Sequence, residues 1–329
     1  MSHAVVIALI AFLVAASAVA WLARGRAAQL ALDEPNTRSL HTAPIPRSGG
    51  LGLLLGIAVS WIIIAPKLSW AWWLALALIV VVSLIDDLRG LHAGARLGAH
   101  LLAATFAALV LLPADTAPWL AVAVILGIGW MSNLYNFMDG SDGLAGGMTL
   151  IGFGAYAAAS WLAGSTQFAL LNLAVALAAG GFLLHNFHPA RIFMGDAGAV
   201  TLGFLAATLG LTGWLQRDWA WWFPLLVFSP FIADASITLI RRGISGARVW
   251  EAHRDHYYQR LVQLGLGHRG TALAEYALML ACAAAALWAL AQQAPIQLWV
   301  LAIAGGLYVV IIAVIERAWR TVQARDSTK

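Results

Sequence analysis

Two adjacent carboxylates stand at the end of a long apolar segment in this sequence. Asp86 and Asp87 follow the apolar run that ends at Ile85. Adjacent carboxylates repel each other, and placing them at the edge of a hydrocarbon phase is costly unless a cation compensates. The pair therefore predicts a divalent metal ion or a polar cavity. The alternative is that both side chains lie in water at a membrane surface.

A second group of polar residues occupies residues 133–147, at the end of a later apolar segment. Asn136 and Asp139 are three residues apart and would share one face of a helix. The glycines that follow, from Gly140 onward, permit a tight turn and close approach to a ligand. Such oxygen ligands suit Mg²⁺, which is held by one or two carboxylates together with substrate phosphates. An EF-hand would need a longer loop with a distal glutamate.

Asp196 is the third acidic feature, between Gly195 and Gly198 at the head of another apolar segment. A carboxylate at such a position is costly without a role. We therefore predict that Asp196 is a magnesium ligand. The nearby Phe193 presents an aromatic face that could stack on a nucleobase, and the alternative is an aromatic residue at the membrane interface.

Basic residues occupy two further segments. Residues 44–50 contain two prolines, Arg47 and two glycines, which predict a rigid turn that places Arg47 at the start of a helix. Backbone N–H groups and the guanidinium could both bind a phosphate there. The alternative is a solvated loop. In the last long loop, His253, Arg254 and His256 could clamp an anionic substrate. Zinc is a minor alternative there, because the two histidines lack an H-E-x-x-H frame.

Asp234 is an acid inside an apolar segment, and an intramembrane acid is a functional candidate by default. The alternative is an ion pair with Arg241 or Arg242 at the end of the same segment.

The elements that carry these residues are apolar. The chain is 62% hydrophobic and 10% charged, whereas soluble domains are about a quarter charged. A spanning helix needs roughly 20 apolar residues. We predict an all-α polytopic membrane protein with about eleven transmembrane helices, at 3–23, 50–65, 68–85, 97–112, 117–135, 144–163, 166–185, 198–215, 220–240, 271–291 and 297–316. The alternative for the first is a signal peptide, which we do not expect because no positive charge precedes the apolar run and Arg24 and Arg26 follow it.

The basic residues predict the orientation of these helices. Of the 19 lysines and arginines, 17 fall on one side of the predicted membrane, and only Lys67 and Arg217 fall on the other. The positive-inside rule therefore places the N-terminus outside and the C-terminus in the cytoplasm. The net charge of +4 thus sets orientation and does not indicate nucleic-acid binding.

The same sorting places the reactive residues on one face. We predict one domain, residues 1–329, in the bacterial inner membrane, with its active site on the cytoplasmic face. The predicted cytoplasmic loops are about 24–49, 86–96, 136–143, 186–197 and 241–270.

Five motifs occur in order: P-x-P-R-x-G-G, I-D-D, N-x-x-N-F-M-D-G-x-D-G-L-A-G-G, F-M-G-D-A-G and H-R-x-H-x-Y-Q-R-L. The series resembles the polyprenyl-phosphate N-acetylhexosamine-1-phosphate transferases, which include WecA-like enzymes and, more distantly, the phospho-N-acetylmuramoyl-pentapeptide transferases. The likeness extends over about residues 33–270. It implies transfer of an amino sugar 1-phosphate from a UDP-amino sugar to polyprenyl phosphate in the membrane lipid, with Mg²⁺ or Mn²⁺ as cofactor and with release of UMP. A homodimer is a further possibility that the resemblance leaves undecided.

The resemblance also implies roles for individual residues. Asp86 and Asp87 would bind the metal and the carrier phosphate. The resemblance does not distinguish which of the two would act as a base and which as a metal ligand. The catalytic metal and diphosphate site would be completed by Asn136, Asp139 and Asp196, the metal ligands being Asp87, Asp139 and Asp196. Uridine would be held by Asp142, Asn186 and Phe193. Phosphates and the remaining substrate groups would be bound by Arg47, Arg96, His253, Arg254 and His256.

Two departures from the pattern bear on the substrate. His100 stands where relatives usually have glutamine, which leaves the surroundings of Arg96 open. The last motif is H-R-x-H and not the H-H-H of the peptidoglycan branch. It resembles O-antigen initiating enzymes that use deoxyamino sugars such as FucNAc or QuiNAc, and so favours lipopolysaccharide synthesis.

Two other classes of membrane protein are alternatives to this one. A secondary transporter would place its ionisable residues near the membrane midplane, whereas here they gather at one face. A CDP-alcohol phosphatidyltransferase would carry D-G-x-x-A-R, but Asp142 and Gly143 are followed by Leu-Ala-Gly-Gly.

Overall fold

The structure of the chain is a computed structural model that describes residues 2–25, 27–29, 31–33, 44–248 and 253–326. Parts of the predicted loops 24–49 and 241–270 lie outside the described residues. So do Arg26, Arg38 and Lys329, which contribute to the charge sorting.

Helices make up nearly all of the described chain. A two-stranded antiparallel sheet, β1 (Leu32–Asp33) and β2 (Ile45–Pro46), lies ahead of the second helix. The helices are α1 (Ser2–Leu22), α2 (Gly49–Ile64), α3 (Trp70–Arg89), α4 (Ala93–Leu111), α5 (Pro118–Phe137), α6 (Leu144–Leu162), α7 (Thr166–Asn186), α8 (Gly195–Leu215), α9 (Trp222–Val227), α10 (Ser229–Ile244), α11 (Tyr257–Leu261), α12 (Gly267–Leu290) and α13 (Ala294–Asp326).

Helices coincide with every predicted apolar span, although the limits differ, and the last span continues as α13 to Asp326. Two other differences have a structural reason. The predicted span 220–240 is two helices, α9 and α10, because the chain leaves helical geometry at Phe228 between Pro224 and Pro230. The predicted span 68–85 continues as α3 to Arg89, so the paired carboxylates belong to its last turn. Within the described residues, seven helices are long and apolar enough to cross a membrane. The protein is therefore an all-α, multi-pass membrane protein.

Small residues set the packing at the centre of the bundle. A side chain on Gly50 of α2 would collide with the backbone of Gly198 in α8, so the two helices touch backbone to backbone. Membrane helices pack closely through such residues, because lipid supplies no hydrophobic force between them. Helix α8 is consequently mostly buried, while α13 exposes most of its apolar surface. This contact also brings the first turns of α2 and α8 together.

Candidate active site

The polar residues singled out in the sequence meet where α3 and α5 end and where α4 and α8 begin. A small pocket lies between these four helices. It is lined by Val82, Ser83, Asp86, Arg96, His100, Asn133, Asn136, Phe137, Asp196 and Val200. Four of the predicted site residues therefore share one pocket, namely Asp86, Arg96, Asn136 and Asp196. Asp86, Asn136 and Asp196 come from three separate motifs.

Arg96 connects two of the carboxylates. Its Nη1 donates to Asp86 Oδ2 at 2.9 Å and lies 3.4 Å from Asp196 Oδ2. The other oxygen of Asp86 accepts a hydrogen bond from the N–H of Leu91 at 2.6 Å. Because one guanidinium serves two acids, it cannot compensate both carboxylates when both are ionised, and a bound cation would supply the missing positive charge.

Asp87 faces away from this cluster and caps α8. Its Oδ1 accepts from the N–H of Asp196 at 3.0 Å, and its Oδ2 accepts from the N–H of Ala197 at 2.9 Å. The first N–H groups of a helix have no partner within the helix, and the positive end of the helix dipole favours a carboxylate there. Asp87 thus fixes the backbone that carries the side chain of Asp196.

The turn at residues 44–50 is joined to the loop before α8. The N–H of Phe193 donates to Pro46 O at 2.7 Å, and the N–H groups of Gly49 and Gly50 donate to the carbonyls of Phe193 and Met194 at 2.9 and 2.8 Å. The expectation that these glycine N–H groups bind a phosphate is therefore wrong, because they already donate to carbonyl groups of the loop before α8. Arg47 remains available, and it donates to the carbonyl of Asp87.

Gly195 is a position where this turn requires glycine. Its φ is +72°, in the left-handed region, and a Cβ there would collide with the carbonyl oxygen of Arg47. The glycine before Asp196 therefore allows the two loops to approach closely.

Asp139 lies two residues beyond the end of α5, in the loop that leads to α6. Burial, together with the charges of Asp196 and Asp87, raises the pKa of Asp139 well above its usual range. A carboxylate in such surroundings is stabilised as an anion only when a cation approaches it. Asp139 is therefore expected to ionise and act as a ligand when a cation binds beside the pocket.

The donor chemistry fits a magnesium ion that is shared with a substrate. Among the residues that the structure describes, no three acidic, imidazole or thiol side chains converge on one point as a closed metal cage would require. Magnesium does not need such a cage, because it binds through one or two carboxylates and takes its other ligands from water and phosphate oxygens. Asp196 and Asp139 supply carboxylates of this kind.

The residues predicted to hold uridine tie two loops together. Asn186 accepts from the N–H of Gly143 at 3.0 Å and donates to Ile192 O at 2.9 Å. Asp142 accepts from the N–H of Ala190 at 3.1 Å and pairs with His188 Nδ1 at 2.6 Å. Both side chains are buried. Their contact with uridine stays a prediction, and their visible role is to hold loop 138–143 against loop 187–194.

The histidine motif lies against the end of α5. His256 stacks on the ring of Phe137, with the ring centres 6.0 Å apart, and Tyr258 Oη donates to Phe137 O at 3.0 Å. His253 stacks on His256, and burial and the charges of His256 and Arg242 lower the pKa of His253 to about 4. His253 is therefore neutral at pH 7. Arg254 is exposed.

Asp234 is the residue whose role the sequence left open, and it organises this motif. Its two oxygens accept from the backbone N–H groups of Tyr257 and Tyr258 at 2.9 and 2.8 Å, and His256 Nδ1 is 3.1 Å away. The alternative pairing with Arg241 or Arg242 is wrong, because these arginines donate to Glu316 and Asp255. No local spacing signals the contact, since 22 residues separate Asp234 from His256.

Comparison with known proteins gives a consistent result. The family model for glycosyl transferase family 4 matches residues 69–214, which include every residue that lines the pocket. A probable undecaprenyl-phosphate N-acetylglucosaminyl 1-phosphate transferase from Bacillus subtilis is 30% identical over 264 residues, 75% of this chain and 74% of the relative. A decaprenyl-phosphate N-acetylglucosaminephosphotransferase from Mycobacterium tuberculosis is 30% identical over 297 residues, 75% of this chain and 72% of the relative.

A more distant relative matches a shorter stretch. A phospho-N-acetylmuramoyl-pentapeptide-transferase from Staphylococcus aureus is 33% identical over 139 residues, 42% of each chain.

The helical architecture and the acidic pocket at the helix ends, together with these matches, define the class as a multi-pass membrane transferase. The chain belongs to glycosyl transferase family 4, as a WecA-like member of the polyprenyl-phosphate N-acetylhexosamine-1-phosphate transferases.

Proposed function

We propose that this protein transfers an N-acetylhexosamine 1-phosphate from a UDP-sugar to polyprenyl phosphate and releases UMP. The observation that carries the proposal is the joining of Asp86 and Asp196 by Arg96 at the ends of membrane helices, within a chain of this family. The names of the relatives from Bacillus and Mycobacterium support the polyprenyl phosphate acceptor and the N-acetylglucosamine donor.

The location of the pocket suits these two substrates. A UDP-sugar is soluble in water, and a polyprenyl phosphate is anchored in lipid, so they meet only at a membrane surface. The pocket lies where four helices begin or end. We place this surface on the cytoplasmic side of a bacterial inner membrane, with the N-terminus outside, because nearly all basic residues fall on that side.

The reaction needs no strong base. A phosphate monoester has a second pKa near 6, so the carrier phosphate is already largely ionised. One of its oxygens attacks the β-phosphorus of the UDP-sugar, and the bond from that phosphorus to the oxygen of UMP breaks. The bond between the sugar and its phosphate stays intact, so the anomeric configuration is retained.

The side chains of the pocket stabilise the charge on the transferring group. Arg96 holds phosphate oxygens in the polar end of the pocket, and Arg47 and His256 approach from the loops at its edge. Mg²⁺ bound by Asp196 and Asp139 would neutralise charge on the diphosphate. Asp87, whose oxygens both bind the first turn of α8, acts by positioning Asp196.

The other end of the donor lies toward the joined loops 138–143 and 187–194. Phe193 is half-buried and offers a ring for stacking on uracil, and Asp142 offers an acceptor. His253 and Arg254 complete the edge next to the diphosphate. The H-R-x-H motif favours a deoxyamino sugar and a role at the start of O-antigen or another surface glycan.

Release of UMP tests the proposal. Purified protein incubated with undecaprenyl phosphate, Mg²⁺ and UDP-GlcNAc, UDP-FucNAc or UDP-QuiNAc is expected to release UMP with at least one of these sugars. Release should stop when the carrier is omitted or when EDTA removes the metal, and Mg²⁺ should restore it. If no amino sugar supports release under conditions in which the Bacillus relative is active, the proposed reaction is wrong.

Asp234→Ala is expected to lower kcat by on the order of 10- to 100-fold, the usual loss when a residue that orients a functional group is removed. The substitution leaves the N–H groups of Tyr257 and Tyr258 and the His256 ring without their acceptor. UMP release and the melting temperature in detergent measure the effect. Asp115→Ala, at an exposed acid, is the matched control. An unchanged kcat for Asp234→Ala would show that the position of His256 does not matter for turnover.

A further inference from the structure

Two neutral polar side chains lie deeper in the pocket than the charged ones. Ser83 is 2% exposed and His100 is 4% exposed, and both line the pocket. Ser83 Oγ and His100 Nδ1 have no hydrogen-bond partner among the described residues. They are the two unpaired buried side-chain atoms of the described chain that belong to pocket-lining residues.

A buried serine in a helix can donate its hydroxyl to a backbone carbonyl of the same helix. Ser132 and Thr201, also buried in helices, donate to the carbonyls of Ile128 and Ala197 one turn earlier, at 2.9 and 2.6 Å. Ser83 makes no such bond. A buried polar group without a partner costs roughly 1–3 kcal/mol, so two of them on one pocket wall point to a ligand that supplies oxygen atoms.

Helix geometry gives the depth of this pair. Ser83 precedes Asp86 by three residues near the end of α3, and His100 follows Arg96 by four residues near the start of α4. Asp86 and Arg96 are joined by a 2.9 Å ion pair. Ser83 and His100 are therefore both displaced from that pair toward the middle of the helices, by about one turn or ~5 Å.

We propose that Ser83 and His100 bind the phosphate group of the polyprenyl carrier, an inference that rests on the proposed function. The lipid-linked phosphate approaches from the hydrocarbon, whereas a UDP-sugar approaches from water, so the deeper polar groups suit the lipid-linked one. The serine hydroxyl donates one hydrogen bond. The neutral imidazole donates a second from Nδ1–H, in the tautomer whose Nε2 accepts from the side-chain amide of Asn133.

The other residues of the pocket agree with this ligand. Arg96 provides the positive charge that the phosphate needs beside Asp86 and Asp196. Neutral donors at the deeper position avoid the cost of another buried charge. Val82 and Val200 add apolar surface to the lining, which suits the first isoprenoid unit next to the phosphate.

The experiment compares Michaelis constants for the two substrates. Ser83→Ala and His100→Leu are each expected to raise the KM for undecaprenyl phosphate by ~10-fold or more, as expected for a lost hydrogen bond to a charged group, and to leave the KM for the UDP-sugar unchanged. His100→Gln retains an N–H donor and is expected to stay within about threefold of the wild type. Ser160→Ala, at a buried, unpaired serine outside this pocket, is the matched control.

Binding without turnover separates this inference from the proposed reaction. Native mass spectrometry of the purified protein with undecaprenyl phosphate alone is expected to show the same order of affinities, with the wild type and His100→Gln above His100→Leu. Wild-type protein that binds the lipid and releases no UMP would refute the proposed reaction, while the binding comparison would still decide the role of this pair.

Three results would overturn the inference. Ser83→Ala and His100→Leu variants with wild-type affinity for the carrier would assign the unpaired atoms to ordered water. A rise confined to the KM for the UDP-sugar would assign them to the donor. Equal losses in His100→Gln and His100→Leu, together with a lowered melting temperature, would show a structural role.

Discussion

Asp196→Asn is expected to lower transfer by on the order of 10³-fold, the upper end of the loss seen when one preorganised electrostatic group is removed. Asparagine keeps the size and shape of the side chain and removes its charge. The charge matters because Asp196 shares Arg96 with Asp86 and lies in the first turn of α8, where Asp87 fixes the backbone. The neutral variant is expected to lose Mg²⁺ affinity without losing the position of α8.

Two measurements check this result. UMP release at increasing Mg²⁺ should reach half of its maximum at a higher concentration in Asp196→Asn than in the wild type. Membrane extraction and melting temperature should stay close to those of Asp115→Asn, a control at an exposed acid. Near-normal turnover would remove Asp196 from the metal site, because a neutral amide is a much weaker magnesium ligand than a carboxylate.

Arg96→Gln is expected to lower kcat/KM by on the order of 10²-fold. The substitution leaves Asp86 and Asp196 in the same pocket with no cation between them and removes the charge that would hold a phosphate. Arg96→Lys should recover part of the activity, because lysine restores the charge but not the planar group with five N–H donors that can bind a carboxylate and a phosphate together.

Arg89→Gln is the control for this prediction, because Arg89 is an exposed arginine in the last turn of α3. It should leave kcat/KM unchanged. If Arg96→Gln behaved like Arg89→Gln, the guanidinium would be a surface charge that fixes membrane orientation, and the phosphate would have to be held by other groups such as Arg47.

The apolar runs were sufficient to predict the helices. Bilayer thickness and backbone hydrogen bonding leave a chain of this composition almost no other structure, and every predicted span coincides with a helix. The limits of the runs were less informative. Helix α3 continues through Asp86 and Asp87 to Arg89, because carboxylates that find partners on neighbouring helices do not end a helix.

The residues that could do chemistry were also evident from the sequence. Asp86, Asp139 and Asp196 stand out because a carboxylate at the end of an apolar segment is costly without a function. The sequence could not tell Asp86 from Asp87. The helix turns their side chains to different neighbours, so that Asp86 faces Arg96 and Asp87 caps α8.

The sequence by itself determined the helices, their membrane character and the set of acids and bases, because each of these follows from composition and local spacing. Only the tertiary structure decided which residues are partners. Asp234 holds the backbone of Tyr257, Asp87 holds that of Asp196, and the carbonyls of Phe193 and Met194 occupy the N–H groups of Gly49 and Gly50. These contacts join residues far apart in the chain, and the last of them depends on how closely the glycines of α2 and α8 let these helices approach. No local pattern encodes that approach.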